Sequence, residues 1–158
     1  MVTIEKLHAP TEAFVALVDT HTAFCDGTAP AESCHRLPVD ALFVPEVTVW
    51  AAYDAGEMIG MGALKALSPT EGEVKSMHTR AAARGKGVAK SMLSVIVAEA
   101  KAQGMDRISL ETGAHADFAA ARAMYASAGF AECPPFGDYV VDPHSIFMTL
   151  TLKEEAAI

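Results

Sequence analysis

The stretch from Glu73 to Gln103 constrains this chain more than any other. A strand-like run ends at His78-Thr79, Arg84-Gly85-Lys86-Gly87-Val88-Ala89 follows, and an uninterrupted helical pattern comes next. Glycines between a strand end and a helix start let bare backbone N–H groups approach an anion. The helix N-terminus adds about half a positive charge at the same point. The segment therefore predicts a pyrophosphate cradle and a phosphorylated ligand. What the motif lacks narrows the choice. A dinucleotide fingerprint needs a further glycine where Lys90 stands, and a Walker A loop needs glycine where Ala89 precedes Lys90-Ser91.

Lys75, Arg80, Arg84, Lys86 and Lys90 crowd this region of a chain whose formal net charge is -8. Cations gathered beside a glycine turn fit a phosphate site better than a solvated face. The acidic balance elsewhere argues against a nucleic-acid partner, which needs a basic face. At 158 residues the chain predicts a single domain over 1-158. That length buries roughly 70% of the unfolded surface without disulfides or metal. A hydrophobic fraction of 51% excludes disorder. No apolar run approaches the about 18 residues that cross a bilayer, so no membrane partner is expected. Met1 to Pro10 carries Glu5 and Lys6 and lacks the apolar core of a signal peptide. Cys25, Cys34 and Cys133 are odd in number and lack metal-ligand spacing. They read as reduced thiols of a cytoplasmic protein, and no metal is expected.

Val2 to Lys6 predicts a short strand. Pro10-Thr11-Glu12 opens a helix whose apolar face, Phe14, Val15, Leu17 and Val18, runs to about Thr22. Gly27 to Pro38 holds two prolines and little periodicity; a short helix near Pro30 and substrate contacts are expected there. Val47 to Tyr53 and Met58 to Leu67 predict a hairpin around Asp54-Ala55-Gly56. In the strand Gly72 to Thr79, a period of two places Val74 and Ser76 opposite Lys75 and Met77. That period puts Glu73 with Lys75 and Met77 and sends His78 to the other side; a bulge would reverse the relation. The helix from Gly87 buries Val88, Met92, Val95, Ile96 and Ala100 and ends at Gly104. Arg107 to Glu111 is a strand, Ala116 to Ala128 a helix closed by Gly129, and further strands follow near Phe130 and over Ile146 to Leu152. This mixed order predicts one α/β sheet with helices on both faces.

Arg84-x-x-Gly87-x-Ala89 resembles motif A of the GNAT N-acetyltransferase superfamily, (Arg/Gln)-x-x-Gly-x-(Gly/Ala). Upstream, Glu73 to Thr79 resembles that family's fourth strand. Downstream, Ala121-Arg122-Ala123-Met124-Tyr125-Ala126-Ser127-Ala128-Gly129-Phe130 resembles its motif B, Ala-x-x-x-Tyr-x-x-x-Gly-Phe. Pro134 to Tyr139 and Asp142 to Ser145, with Leu110 to Gly113, Phe147 to Thr149 and His35, are similar to a subgroup of small bacterial members. The resemblance implies a GNAT-type mixed, largely antiparallel twisted sheet, split between its fourth and fifth strands. It implies acetyl-CoA as co-substrate and transfer to the primary amine of a small molecule by direct attack in a ternary complex. A protein lysine or amino terminus as acceptor, or a non-catalytic acyl-CoA-binding module, are the alternatives. The long segments Gly27 to Pro45 and Ala131 to Ser145 favour the small acceptor by narrowing the mouth.

By the same resemblance the coenzyme is held by Met77, His78 and Thr79 through their backbone. Arg84, Gly85, Lys86, Gly87, Val88 and Ala89 hold it through the turn, and Tyr125 holds it beside the sulfur. The Tyr125 hydroxyl would protonate the departing thiolate, and the N–H of Met77 or His78 would bind the oxyanion. The acceptor must lose a proton, since an alkylammonium has a pKa near about 10. The base is open between Glu73, on the strand facing the cleft, His78, with an ordinary pKa of about 6.5, and no dedicated side chain. His35, Glu111 and Tyr139 would contact the acceptor, and Asp138 and Asp142 would favour a cationic amine. Phe118 departs from the family, many of whose members place Asn there. An open sheet also leaves an edge through which a homodimer could form.

Overall fold

The hairpin expected around Asp54-Ala55-Gly56 lies within a seven-stranded sheet in the computed structural model, which describes residues 2–27, 39–85 and 87–152. The strands are β1 (Val2–Leu7), β2 (Val47–Asp54), β3 (Glu57–Ala66), β4 (Glu71–Thr79), β5 (Arg107–Gly113), β6 (Ala131–Cys133) and β7 (Ser145–Thr151). The helices are α1 (Glu12–Asp26), α2 (Val39–Leu42), α3 (Val88–Ala102) and α4 (Ala119–Ser127). Strand order is β1-β2-β3-β4-β5-β7-β6, and every neighbouring pair is antiparallel except β4 and β5. The Thr11 hydroxyl accepts the Phe14 N–H at 3.2 Å and caps α1, which runs on to Asp26, a turn past the expected end. The helix expected near Pro30, together with His35 and Cys34, lies outside the described residues. A 3-10 turn, Ala116–Phe118, leads into α4. Among the described residues no helix is long and apolar enough to cross a membrane.

Two apolar patches fasten the helices to the sheet. On one face Met92, Leu93 and Ile96 of α3 and Tyr125 of α4 pack with Trp50, Leu64, Val74, Ile108 and Leu110. On the other, Phe14 and Leu17 of α1 and Leu42 of α2 pack with Val49, Ala51, Met61 and Ala63. Each large side chain so buried contributes about 1.5–3 kcal/mol by leaving water. The sheet is thus covered on both sides.

Its weak point is the one parallel pair. β4 bonds β5 only from Glu71↔Arg107 to Val74↔Leu110. Beyond that, β4 continues to Thr79 along β3, while β5 continues to Gly113 along β7. The two strands separate, leaving the far end of β4 without a ladder partner on that side.

β4 also carries a bulge. Met61 pairs with His78 and Ala63 with Lys75, so Gly62 faces both Ser76 and Met77. Ser76 takes φ 56°, in the left-handed region. One extra residue reverses the alternation beyond it. Met77 therefore joins the face of Val74, where a Cβ on Gly62 would lie 2.8 Å from its sulfur. His78 moves to the face of Glu73 and Lys75, against α1. A plain period of two would have put Met77 with Lys75 and sent His78 to the α3 side; the bulge corrects both.

Candidate active site

The turn before α3 is built by backbone that only glycine adopts cheaply. Gly85 has φ 83° and Gly87 φ 76°, a conformation costing other residues about 1–2 kcal/mol. A Cβ on either would meet nothing within 4 Å, so the turn stands open. α3 begins without a side-chain cap and without an acidic residue in its first turn. Its leading N–H groups thus keep their capacity for an anion, and an open nest of amides at a helix start fits a diphosphate. Lys86 lies outside the described residues. The Arg84 guanidinium lies 5.5 Å from the Phe24 ring centre, and its Nε donates to the Thr79 carbonyl at 3.4 Å. Two of the expected cations are drawn away from the turn. Arg80 pairs with Glu57 at 2.5 Å, and Lys75 turns to Glu73 on the α1 face. Arg84 and Lys90 remain beside the opening.

A cavity of about 440 Å³ joins the turn to the split. Met77, Val88, Met124 and Tyr125 line it from the side of α3 and α4, and His21, Phe24 and His78 from the side of α1. It therefore draws its walls from both layers, beside the end of β4 that β5 has left. Thr79, Arg84, Gly85, Gly87 and Ala89 also line it. Tyr125 is buried edge-on to Phe130, ring centres 5.7 Å apart. Burial pushes its hydroxyl well above the usual phenol range, so it keeps its proton at neutral pH. Phe118 stands edge-on to Phe24 at 5.2 Å and presses on Gly113, where a Cβ would fall 2.3 Å from its ring. The wall here is aromatic.

His78 is buried, and its Nδ1 lies 3.1 Å from Nδ1 of His21. Its Nε2 has no hydrogen-bond partner among the described residues. Burial, and secondarily the Arg84 charge, lowers its pKa to about 4, so it is neutral at pH 7. His21 and Phe24 belong to no motif; their inward spacing along α1 from Phe14 was the only available signal.

Glu73 sits on the same face of β4 but in another setting. Its Oε2 accepts from Lys75 Nζ at 2.9 Å and from the Tyr139 hydroxyl at 2.6 Å. Lys75 Nζ also donates to the Tyr139 oxygen at 3.0 Å. The three are not among the residues lining the cavity. Burial, the bond to Glu73 and the charges of Glu73 and Glu111 push the Tyr139 hydroxyl up, so it stays a neutral donor. Glu111 accepts from Ser145 Oγ at 2.8 Å and pairs in register with Phe147, 5.5 Å from the Tyr139 ring. Asp142 accepts the His144 N–H at 2.8 Å in a local turn.

Comparison with known proteins agrees with this geometry. The model of the Acetyltransferase (GNAT) family matches residues 14–130. The chain is 47% identical over 138 residues to the uncharacterized N-acetyltransferase YsnE of Bacillus subtilis (strain 168), covering 87% of this chain and 91% of that protein. It is 42% identical over 154 residues to the uncharacterized N-acetyltransferase YedL of Escherichia coli (strain K12), covering 98% and 97%. A solved structure from Klebsiella pneumoniae, provisionally assigned as an acyl-CoA N-acyltransferase, superposes with TM-score 0.80 at 28% identity. That superposition covers 97% of this chain and 99% of the other. With its open glycine turn, its split sheet and Tyr125 in the cavity wall, the chain belongs to the GNAT family of N-acetyltransferases, enzymes that take acetyl-CoA as co-substrate.

Proposed function

We propose that this N-acetyltransferase modifies the primary amine of a small molecule, which attacks the thioester directly while both substrates are bound. The observation that carries the reading is the cover over the α1 side of the split. Residues 134–144 cross that face, with Tyr139 bonded to Glu73 and Lys75, and the His144 carbonyl accepting the Ala114 N–H at 3.0 Å. A protein segment needs an open groove, whereas a small amine needs only the mouth that remains.

The turn amides from Gly85 to Ala89, with Arg84, would hold the diphosphate, and the unpaired edge of β4 would hold the arm that follows. Acetyl-CoA supplies the activated acyl carbon. His78, neutral at pH 7 and lining the cavity from the α1 side, takes the proton of the attacking amine. Glu73 is less suited, because its Oε2 already accepts from Lys75 and Tyr139. The backbone N–H of Met77 or His78, at the bulge, serves the oxyanion. Tyr125 keeps its proton for the departing thiolate, whose parent thiol has a pKa of about 8.5. Holding both reactants in one cavity contributes several kcal/mol more. The test is thiol release from acetyl-CoA across a panel of small primary amines and lysine peptides. Saturable release with a small amine is expected. Turnover confined to the peptides would reject the acceptor class.

A further inference from the structure

The contact between His21 and His78 has a chemical consequence. Two Nδ1 atoms 3.1 Å apart bond only when one carries hydrogen and the other a lone pair. The rings meet edge to face, centres 5.0 Å apart. On the far side of His21, Nε2 lies 3.7 Å from Cys25 Sγ. On the far side of His78, Nε2 is buried without a partner among the described residues. A buried polar atom left open in a ring that lines the cavity calls for a partner that arrives with substrate. If His21 donated, that open atom would be an unpaired N–H. If His78 donates, it is a bare lone pair, the form a base needs.

We propose that His21 and His78 act as a pair: His78 accepts the acceptor amine's proton on Nε2, and His21 is the positioning residue that holds the His78 tautomer and takes its Nδ1 proton. The proposal rests on reading the cavity as the acyl-transfer site with His78 at its acceptor end. In the step, the amine nitrogen's lone pair forms the bond to the acyl carbon, and the carbonyl π pair moves to oxygen. The N–H bond breaks toward His78 Nε2 as the Nδ1 proton of His78 passes to His21 Nδ1. The oxyanion pair then re-forms the carbonyl as the C–S bond breaks, and the thiolate leaves with the Tyr125 proton. His78 ends neutral in its other tautomer and His21 ends as an imidazolium, its Nε2–H toward Cys25. The charge belongs on His21 for a physical reason. His78 is buried with the Arg84 guanidinium acting on it, whereas His21 is half-buried at the edge of the layer. Among the described residues, Cys25 of α1 touches His21, and Arg84, Lys90 and Asp117 are the charged side chains that line the same cavity; Phe24 and Phe118 bring no charge.

The test is nitrogen-15 NMR of the histidine rings in the full chain saturated with coenzyme A, which needs no known acceptor. The expected result is hydrogen on Nδ1 and a bare Nε2 for His78, changing to hydrogen on Nε2 in His21→Ala. With an amine that the panel shows to be turned over, His21→Ala should lower kcat about tenfold to a hundredfold while KM for acetyl-CoA stays within about twofold, and added imidazole should restore part of the loss. Should His21→Ala fail to bind coenzyme A calorimetrically, His21→Gln carries the same kcat readout. Hydrogen on Nε2 of His78 in the native protein overturns the pairing, as does a kcat indifferent to both His21 variants. Full turnover in His78→Gln would reject the base itself; a loss there with none at His21 rejects only the pair.

Discussion

Burial acts in opposite directions on Tyr125 and His78 in the cavity wall: it holds the proton on the first and takes it from the second. A donor and an acceptor of protons are thereby set on opposite sides of one cavity. Tyr125→Phe keeps the ring and removes the proton. It should lower kcat on the order of a hundredfold while leaving acetyl-CoA affinity within about twofold; unchanged turnover would strike Tyr125 from the mechanism. His78 makes a separate prediction about folding. Above pH about 6.5 the ring is neutral in folded and unfolded chains alike, and it contributes nothing. Below that, the unfolded chain binds a proton that the folded chain refuses until its own pKa of about 4. Stability therefore falls as pH falls across that window, by about 2 kcal/mol between pH 7 and pH 5. Urea unfolding at the two values should show this loss, and His78→Gln should remove it. Equal pH dependence in both proteins would mean that another group is responsible.

At the scale of elements, the glycine turn and β4 make the site. Gly87→Val places a branched side chain on a backbone at φ 76° and in the open side of the turn. It should cost about 1–2 kcal/mol of stability, and calorimetry should show coenzyme A affinity falling at least about tenfold. Undiminished affinity would refute the anion site. This turn was legible in the sequence because glycines report backbone conformation locally, as the order of helices and strands was legible in periodicity. The bulge was legible only as an open alternative, because Ser76 takes its φ from how β4 pairs across Gly62 on β3. His21 and Phe24 reach the cavity only once α1 packs on the face opposite α4, a relation no motif records. Lys75 and Tyr139 are 64 residues apart in the chain, and their bond depends on where residues 134–144 cross the sheet. The five cations looked like one cluster in the sequence, but Glu73 and Glu57 draw off Lys75 and Arg80, while Arg84 and Lys90 stay beside the cavity.

For the whole molecule, the split leaves one stretch of sheet without a neighbour inside a layered domain. Coenzyme A should fill that place, so amide exchange should slow at residues 77–79 and 88–90. The outer strands β1 and β6, remote in the strand order, should be unaffected. Uniform slowing across the sheet would indicate general stabilisation instead of a local partner. The cavity also has a use beyond catalysis. Since its walls come from both layers, a single conjugate linking the coenzyme's sulfur to an amine through a short bridge should occupy both halves of the cavity together. Tethering raises the local concentration of the second half to the order of millimolar, so even a feebly held amine would tighten the whole. The bridge length that inhibits best would then act as a ruler for the depth of the cavity.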